Sequence, residues 1–121
     1  MGKWNMLDDF TESPEAIIQI SALKTGGFEG KIIEVFPAPD DDPVDVCKPC
    51  VGADKNKPII GLVVFKQLKF NAKKELVGRV LDPDSGKIYN CQLRPLPNNR
   101  IELHVIVNRL ISQDRYLSLA K

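Results

Sequence analysis

The sequence predicts an all-β protein: a small antiparallel up-and-down barrel of about eight strands with one long cysteine-containing loop. Three observations carry this reading. The dominant hydrophobic period is two rather than 3.6. Turn residues recur at short intervals between the apolar runs. The 121 residues leave room for a single domain, residues 1–121, and not for two.

The runs follow one another with turn chemistry between them. Lys3 to Asp8 is separated from Ala16 to Ala22 by Ser13-Pro14, and Thr25-Gly26-Gly27 leads into Phe28 to Phe36. After a long loop, Pro58 to Leu68 is apolar on both phases over its first part, so its inner face is left open. Asn71 to Lys74 then turns the chain into Leu76 to Leu81, and Asp82-Pro83-Asp84-Ser85-Gly86 into Lys87 to Leu93. Leu96-Pro97-Asn98-Asn99 leads to Arg100 to Val107, and Asp114 to Leu119 is the last run. A meander of this size removes its exposed edges by closing on itself. Its interior is then filled by side chains or holds one small ligand. Alternation puts Tyr89, Cys91 and Leu93 on one side of their strand and Ile101, Leu103 and Val105 on one side of the next. Asn90, Gln92, Glu102 and His104 fall on the opposite sides.

Charge excludes some classes of partner. With 17 Lys+Arg against 16 Asp+Glu, the chain lacks the global field of a nucleic-acid binder. The halves differ: residues 1–54 carry 4 basic and 11 acidic side chains, residues 55–121 carry 13 and 5. The expectation is attraction between the halves within the fold, with a basic partner-binding face around Lys55 and Lys57 as the alternative. No apolar run reaches the roughly 20 residues needed to span a bilayer as a helix.

The loop from Pro37 to Lys57 is the one connection a meander does not explain, and it is long enough to lie over one end of the barrel. It carries Cys47-Lys48-Pro49-Cys50, a spacing that suits a local disulfide, a metal half-site or a redox pair. A thioredoxin-like role needs a helix N-terminus to lower the thiol pKa. This loop is rich in Pro and Asp instead. Cys47, Cys50, Cys91 and His104 together make a Cys3His set of zinc-ligand type. Alternation, however, places Cys91 and His104 on opposite faces. Asp82 to Gly86 reads as a turn rather than a calcium loop, since the later carboxylate is missing. Asp40 to Asp42 reads as a solvated run. One histidine and no Gly-x-Ser-x-Gly elbow leave no nucleophile triad, so the reading is not an enzyme, with no cofactor.

Several local strings taken together resemble a known family. Asn56-Lys57-Pro58-Ile59-Ile60-Gly61 followed by Leu68, then Leu81-Asp82-Pro83-Asp84-Ser85-Gly86-Lys87-Ile88-Tyr89-Asn90-Cys91, with Cys-x-x-Cys upstream, is similar to the bacterial family carrying domain of unknown function 2147. The resemblance covers about residues 44–93 and implies an exported, periplasmic or secreted protein with a lipocalin-like barrel and no established activity. His104-Val105-Ile106 and Arg115-Tyr116 depart from the Arg-Gly-Tyr-like string and the late Trp that the family pattern implies. Gly2-Lys3-Trp4 also resembles the Gly-x-Trp that opens lipocalin barrels, which implies that Trp4 closes one end with Arg115 over its indole.

Met1 to Leu7 has neither a charged leading stretch nor a long apolar core. With the resemblance, the expectation is a mature exported chain in an oxidising compartment, Cys47 and Cys50 being its disulfide. The expected function is binding of a small apolar or amphipathic ligand at the barrel mouth by Trp4, Tyr89, Leu93, Leu103 and Val105. An envelope protein-interaction module with a solid core is the alternative reading.

Overall fold

The structure, a computed structural model, describes residues 2–8, 11–36 and 45–120. Eight strands alternate in direction and close into one barrel in chain order. They are β1 (Gly2–Leu7), β2 (Pro14–Ala22), β3 (Phe28–Val35), β4 (Val63–Phe70), β5 (Leu76–Leu81), β6 (Ile88–Leu96), β7 (Arg100–Ile106) and β8 (Ser112–Leu119). No helix among the described residues is long and apolar enough to cross a membrane.

Register explains the two faces. Directly opposed residues share a face, and Leu76, Leu93, Leu103 and Arg115 form one such row across β5 to β8. Ile20, Gly30, Phe65, Val80 and Tyr89 form another across β2 to β6. Ile18, Ile20, Phe65, Leu68, Leu93, Leu103 and Leu117 are each at most 2% exposed, so these rows face inward and fill the middle of the barrel. Gly30 is part of that packing. A Cβ there would come within 2.6 Å of Phe65 Cδ2 and 3.0 Å of Ile18 Cγ2, so the missing side chain makes room for the Phe65 ring.

The boundaries of β4 and β6 differ from the sequence reading for physical reasons. Pro58 to Leu62 is not part of β4; Gly61 and Leu62 exchange backbone hydrogen bonds with Ile32 of β3. In β4 itself an irregularity between Lys66 and Lys69, with Gln67 at φ 56°, breaks the period of two. Phe65 and Leu68, three apart, therefore both point inward. β6 extends past Leu93 to Leu96 and includes Pro95. Beyond Leu93 it has only β7 beside it, so the N–H that proline lacks has no neighbouring strand to reach.

Closure of the barrel rests on a short seam. The Ala120 N–H donates to the Lys3 carbonyl at 3.0 Å, and Trp4, Asn5 and Met6 pair with Leu119, Ser118 and Leu117. Beyond that point side chains replace the ladder. Arg115 donates to the Leu7 carbonyl at 3.2 Å and pairs with Glu15 at 2.8 Å, and Arg100 pairs with Glu12 at 3.2 Å. These contacts and Asp54–Lys66 join the acidic first half to the basic second half, as the charge asymmetry suggested.

Candidate functional site

The described part of the long loop does not lie over the barrel mouth. Residues 45–62 lie against the outer wall. Val64 and Leu81 are on the outward phase of β4 and β5, yet are 3% and 2% exposed. The outward Lys66 reaches Asp54, in the 3-10 turn Gly52–Asp54, at 2.9 Å. Val46 bridges to Pro58, and the backbones of Cys47, Asn56 and Lys57 exchange two hydrogen bonds, which closes the stretch into a flap. Asp40 to Asp42 lie outside the described residues.

Cys47 and Cys50 form a disulfide with Cα atoms 5.5 Å apart. Both are buried, at 0% and 1% exposure, inside the same apolar cluster as the barrel core. Cys47 Sγ lies 3.6 Å from the Pro83 carbonyl oxygen, so the flap rests on the turn between β5 and β6. That turn is built by Asp82, whose carboxylate accepts the Asp84 N–H and the Ser85 hydroxyl. Gly86, at φ 74°, sits where a Cβ would strike the Pro49 carbonyl, so only glycine fits between turn and flap.

The Lys66 hydrogen bond holds the Asp54 carboxyl below its ordinary value of 3.8, against the opposing effect of burial; the charges of Lys66 and Lys57 add to the lowering. A depressed folded-state pKa gives stability that is present above the ordinary value and is lost as pH falls through the folded value. Asp54→Asn is therefore expected to cost about 1 kcal/mol at neutral pH and nothing in strong acid. Urea unfolding midpoints of both proteins at the two pH values check this.

The four residues of the zinc-type set do not converge. Cys47 and Cys50 are bonded to each other, Cys91 is a free thiol facing the core, and His104 is on the outward phase with its Nδ1 2.6 Å from Asp114 Oδ1. Burial pushes the Cys91 thiol up to about 12, which keeps it protonated and unreactive. Iodoacetamide at pH 8 is expected to leave the native mass unchanged and to add one carbamidomethyl group after denaturation without reductant. Rapid native labelling would mean that β6 opens readily.

The proposed ligand contacts are distributed along the barrel rather than gathered at one mouth. Leu93 and Leu103 oppose each other in the packed middle, and Val105 opposes Cys91 nearby. Tyr89, half-buried, is near the start of β6, beside the turn at Asp82 to Gly86. Trp4, half-buried on the inward phase, is opposite Leu119, whose N–H reaches Asn99 at the other end of the barrel. The guanidinium of Arg115, four residues before Leu119, reaches Leu7 and Glu15. A cation–aromatic stack joins Arg100 to Tyr116, 5.6 Å from the ring centroid.

At the Trp4 end the inward phase emerges as an aromatic rim. Phe28 and Phe70 meet edge to face at 5.4 Å. Phe70 opposes the buried Leu76 and is therefore on the inward phase, yet is 54% exposed. The sequence reading ended this strand at Leu68 and missed Phe70. The signal was the apolar spacing Phe65, Leu68, Phe70, which fits a strand only if it contains a bulge.

Two hollows open elsewhere. One of about 150 Å³ lies at the β1–β8 seam between Leu7, Asp8, Glu12, Asp114 and Tyr116. The other, about 420 Å³, is a dish on the outer wall at Gln67, Lys69, Val77, Asn90, Gln92 and Ile106, floored by Gly78 and Cys91. None of the five proposed ligand contacts lines either one.

A closed eight-stranded antiparallel meander with an inward Trp on its first strand defines a lipocalin-like barrel. Among solved structures the fold is similar to HP1028, a lipocalin-family protein from the human pathogen Helicobacter pylori. The TM-score is 0.78 at 14% identity, covering 99% of this chain and 82% of that one. The chain belongs to the family DUF2147, described as an uncharacterized protein conserved in bacteria, which it matches over residues 2–116. No curated protein matches it.

Proposed function

We propose that this chain is a non-enzymatic binding barrel of the bacterial envelope, whose rim of Trp4, Phe28 and Phe70 takes a small apolar or amphipathic ligand. The observation that carries the reading is Phe70, an inward-phase aromatic left half in solvent at a barrel end. Exposed aromatic faces above an apolar floor favour a ligand with a hydrocarbon part. The packed middle sets a depth limit, so the ligand lies across the rim rather than threading the barrel. Likeness to a lipocalin-family barrel supports the same class of ligand. The sole histidine is engaged by Asp114 on the outer wall, away from the rim, which fits a binding role better than a catalytic one. A buried disulfide is consistent with an exported protein in an oxidising compartment.

Trp4 is the one tryptophan, so it reports on its own site. Titration with a fluorescent medium-chain fatty acid is expected to quench Trp4 saturably at one equivalent. Phe70→Asp should weaken this without unfolding the chain. Native mass spectrometry of protein purified without reductant should show an adduct lost on denaturation. A bare mass with no quenching favours the second reading, an interaction module with a solid core. The fully buried middle of the barrel supports that reading. A partner would then contact the outer wall, where Lys55 is exposed and Lys57 lies 3.7 Å from Asp54.

A further inference from the structure

We propose that the tip of the β7–β8 hairpin docks the barrel on an anionic phospholipid surface. Leu110 is 92% exposed and Ile111 52%, the first being the most exposed large apolar side chain of the described residues. Ile106 and Ile88 carry the apolar strip down the outer wall. Ile106 opposes Asn90, and Ile88 is two residues along β6 on the same face. Arg109 and Lys87, both exposed, flank the strip.

The shape and bonding of the tip favour lipid over a protein groove. It is convex and aliphatic, without an aromatic anchor of the kind that dominates protein contacts. Four of its backbone N–H groups are paired within the turn itself. The N–H groups of Val107 and Asn108 both donate to the Ile111 carbonyl, at 3.0 and 3.1 Å. Those of Leu110 and Ile111 donate to Asn108 Oδ1, at 2.8 and 3.0 Å. Entry into hydrocarbon penalises every unsatisfied N–H, and the Asn108 side chain satisfies two of them while holding Leu110 outward. Aliphatic side chains in the acyl boundary with basic groups at headgroup level are what an interfacial element requires. The turns 82–87 and 107–111 lie at this same end of the barrel, and Val51 and Ile60 of the outer-wall flap are also exposed.

The test is co-sedimentation of the full chain with phosphatidylglycerol–phosphatidylcholine vesicles and with phosphatidylcholine vesicles alone. The wild type is expected to pellet with the first and weakly with the second. The double variant Leu110→Ser, Ile111→Ser should lose about tenfold or more in binding, as removal of two inserted aliphatic side chains implies. Arg109→Gln should lower binding only to the anionic vesicles. Both positions are exposed, so an unchanged thermal melt confirms that the variants fold. Wild-type protein left in the supernatant, or a double variant that pellets as well as wild type, overturns the proposal. Equal pelleting with both vesicle types overturns its anionic part. A self-association abolished by the double variant, without vesicle binding, assigns the tip to a second copy of the chain and overturns the lipid assignment.

Discussion

Replacing Phe65 by alanine is expected to lower the free energy of unfolding by about 3–5 kcal/mol. The ring is fully buried, packed at Gly30 and Ile18 and opposite Val80, so its removal leaves a hole that the closed sheet cannot easily collapse into. For a domain whose total stability is about 5–15 kcal/mol, this is a large share. Urea unfolding should show a lower midpoint with an unchanged slope. A loss below about 1 kcal/mol would mean that the barrel interior has slack around the ring. The same variant bears on function. A cavity opened at position 65 should admit a small aromatic probe that the wild-type interior rejects, while rim binding reported by Trp4 should persist. Were the wild type to take up the probe equally, the depth limit argued for the ligand would fail.

The second large effect is expected at the disulfide. A four-residue ring constrains the unfolded chain modestly, by about 2 kcal/mol on the chain-entropy account. The Cys47-x-x-Cys50 spacing by itself suggested a local disulfide within the long loop. The structure adds burial, because both sulfurs sit in the cluster that joins the flap to Leu81 and the Asp82 to Gly86 turn. The double variant Cys47→Ala, Cys50→Ala should therefore lose about 2–4 kcal/mol, within the usual range for native disulfides. The loss should be local first: trypsin cleavage after Lys55, the one flap lysine not followed by proline, should accelerate well before the barrel unfolds. Unchanged proteolysis would show that the Asp54–Lys66 contact and the packing of Val64 hold the flap without the bond.

Most of the barrel was legible in the sequence because half-buried strands announce themselves by alternation. Cys91, Leu93, Ile101, Leu103 and Val105 face inward as their phase predicted, and His104 faces out. The flap was harder to read for the same reason. Val64 and Leu81 are outward residues with apolar side chains, and alternation cannot say that a loop will cover them. The bulge at Gln67 hid the inward turn of Leu68 and Phe70, since a positive φ at a glutamine leaves no compositional mark. The expected ligand contacts shared a face, and sharing a face does not place residues at one end. Trp4 and Tyr89 are on the inner wall at opposite ends of the barrel.

The short seam between β1 and β8 fixes the order in which this molecule can assemble. Asn5 and Ser118, whose side chains meet across it at 3.4 Å, are 113 positions apart in the chain. Every other neighbour in the sheet is also a neighbour in sequence, so the hairpins of β5 to β8 can form early and locally. Closure alone requires both chain ends to meet. Until it happens, β1 and β8 each present an open edge of unpaired backbone, the surface most prone to pair with another molecule. Dilute refolding should therefore proceed to monomer, whereas crowded refolding should divert chains into intermolecular pairing through these two strands. Arg115 and Arg100 guard against that outcome by reaching across the gap to Leu7, Glu15 and Glu12 once the ends have come together.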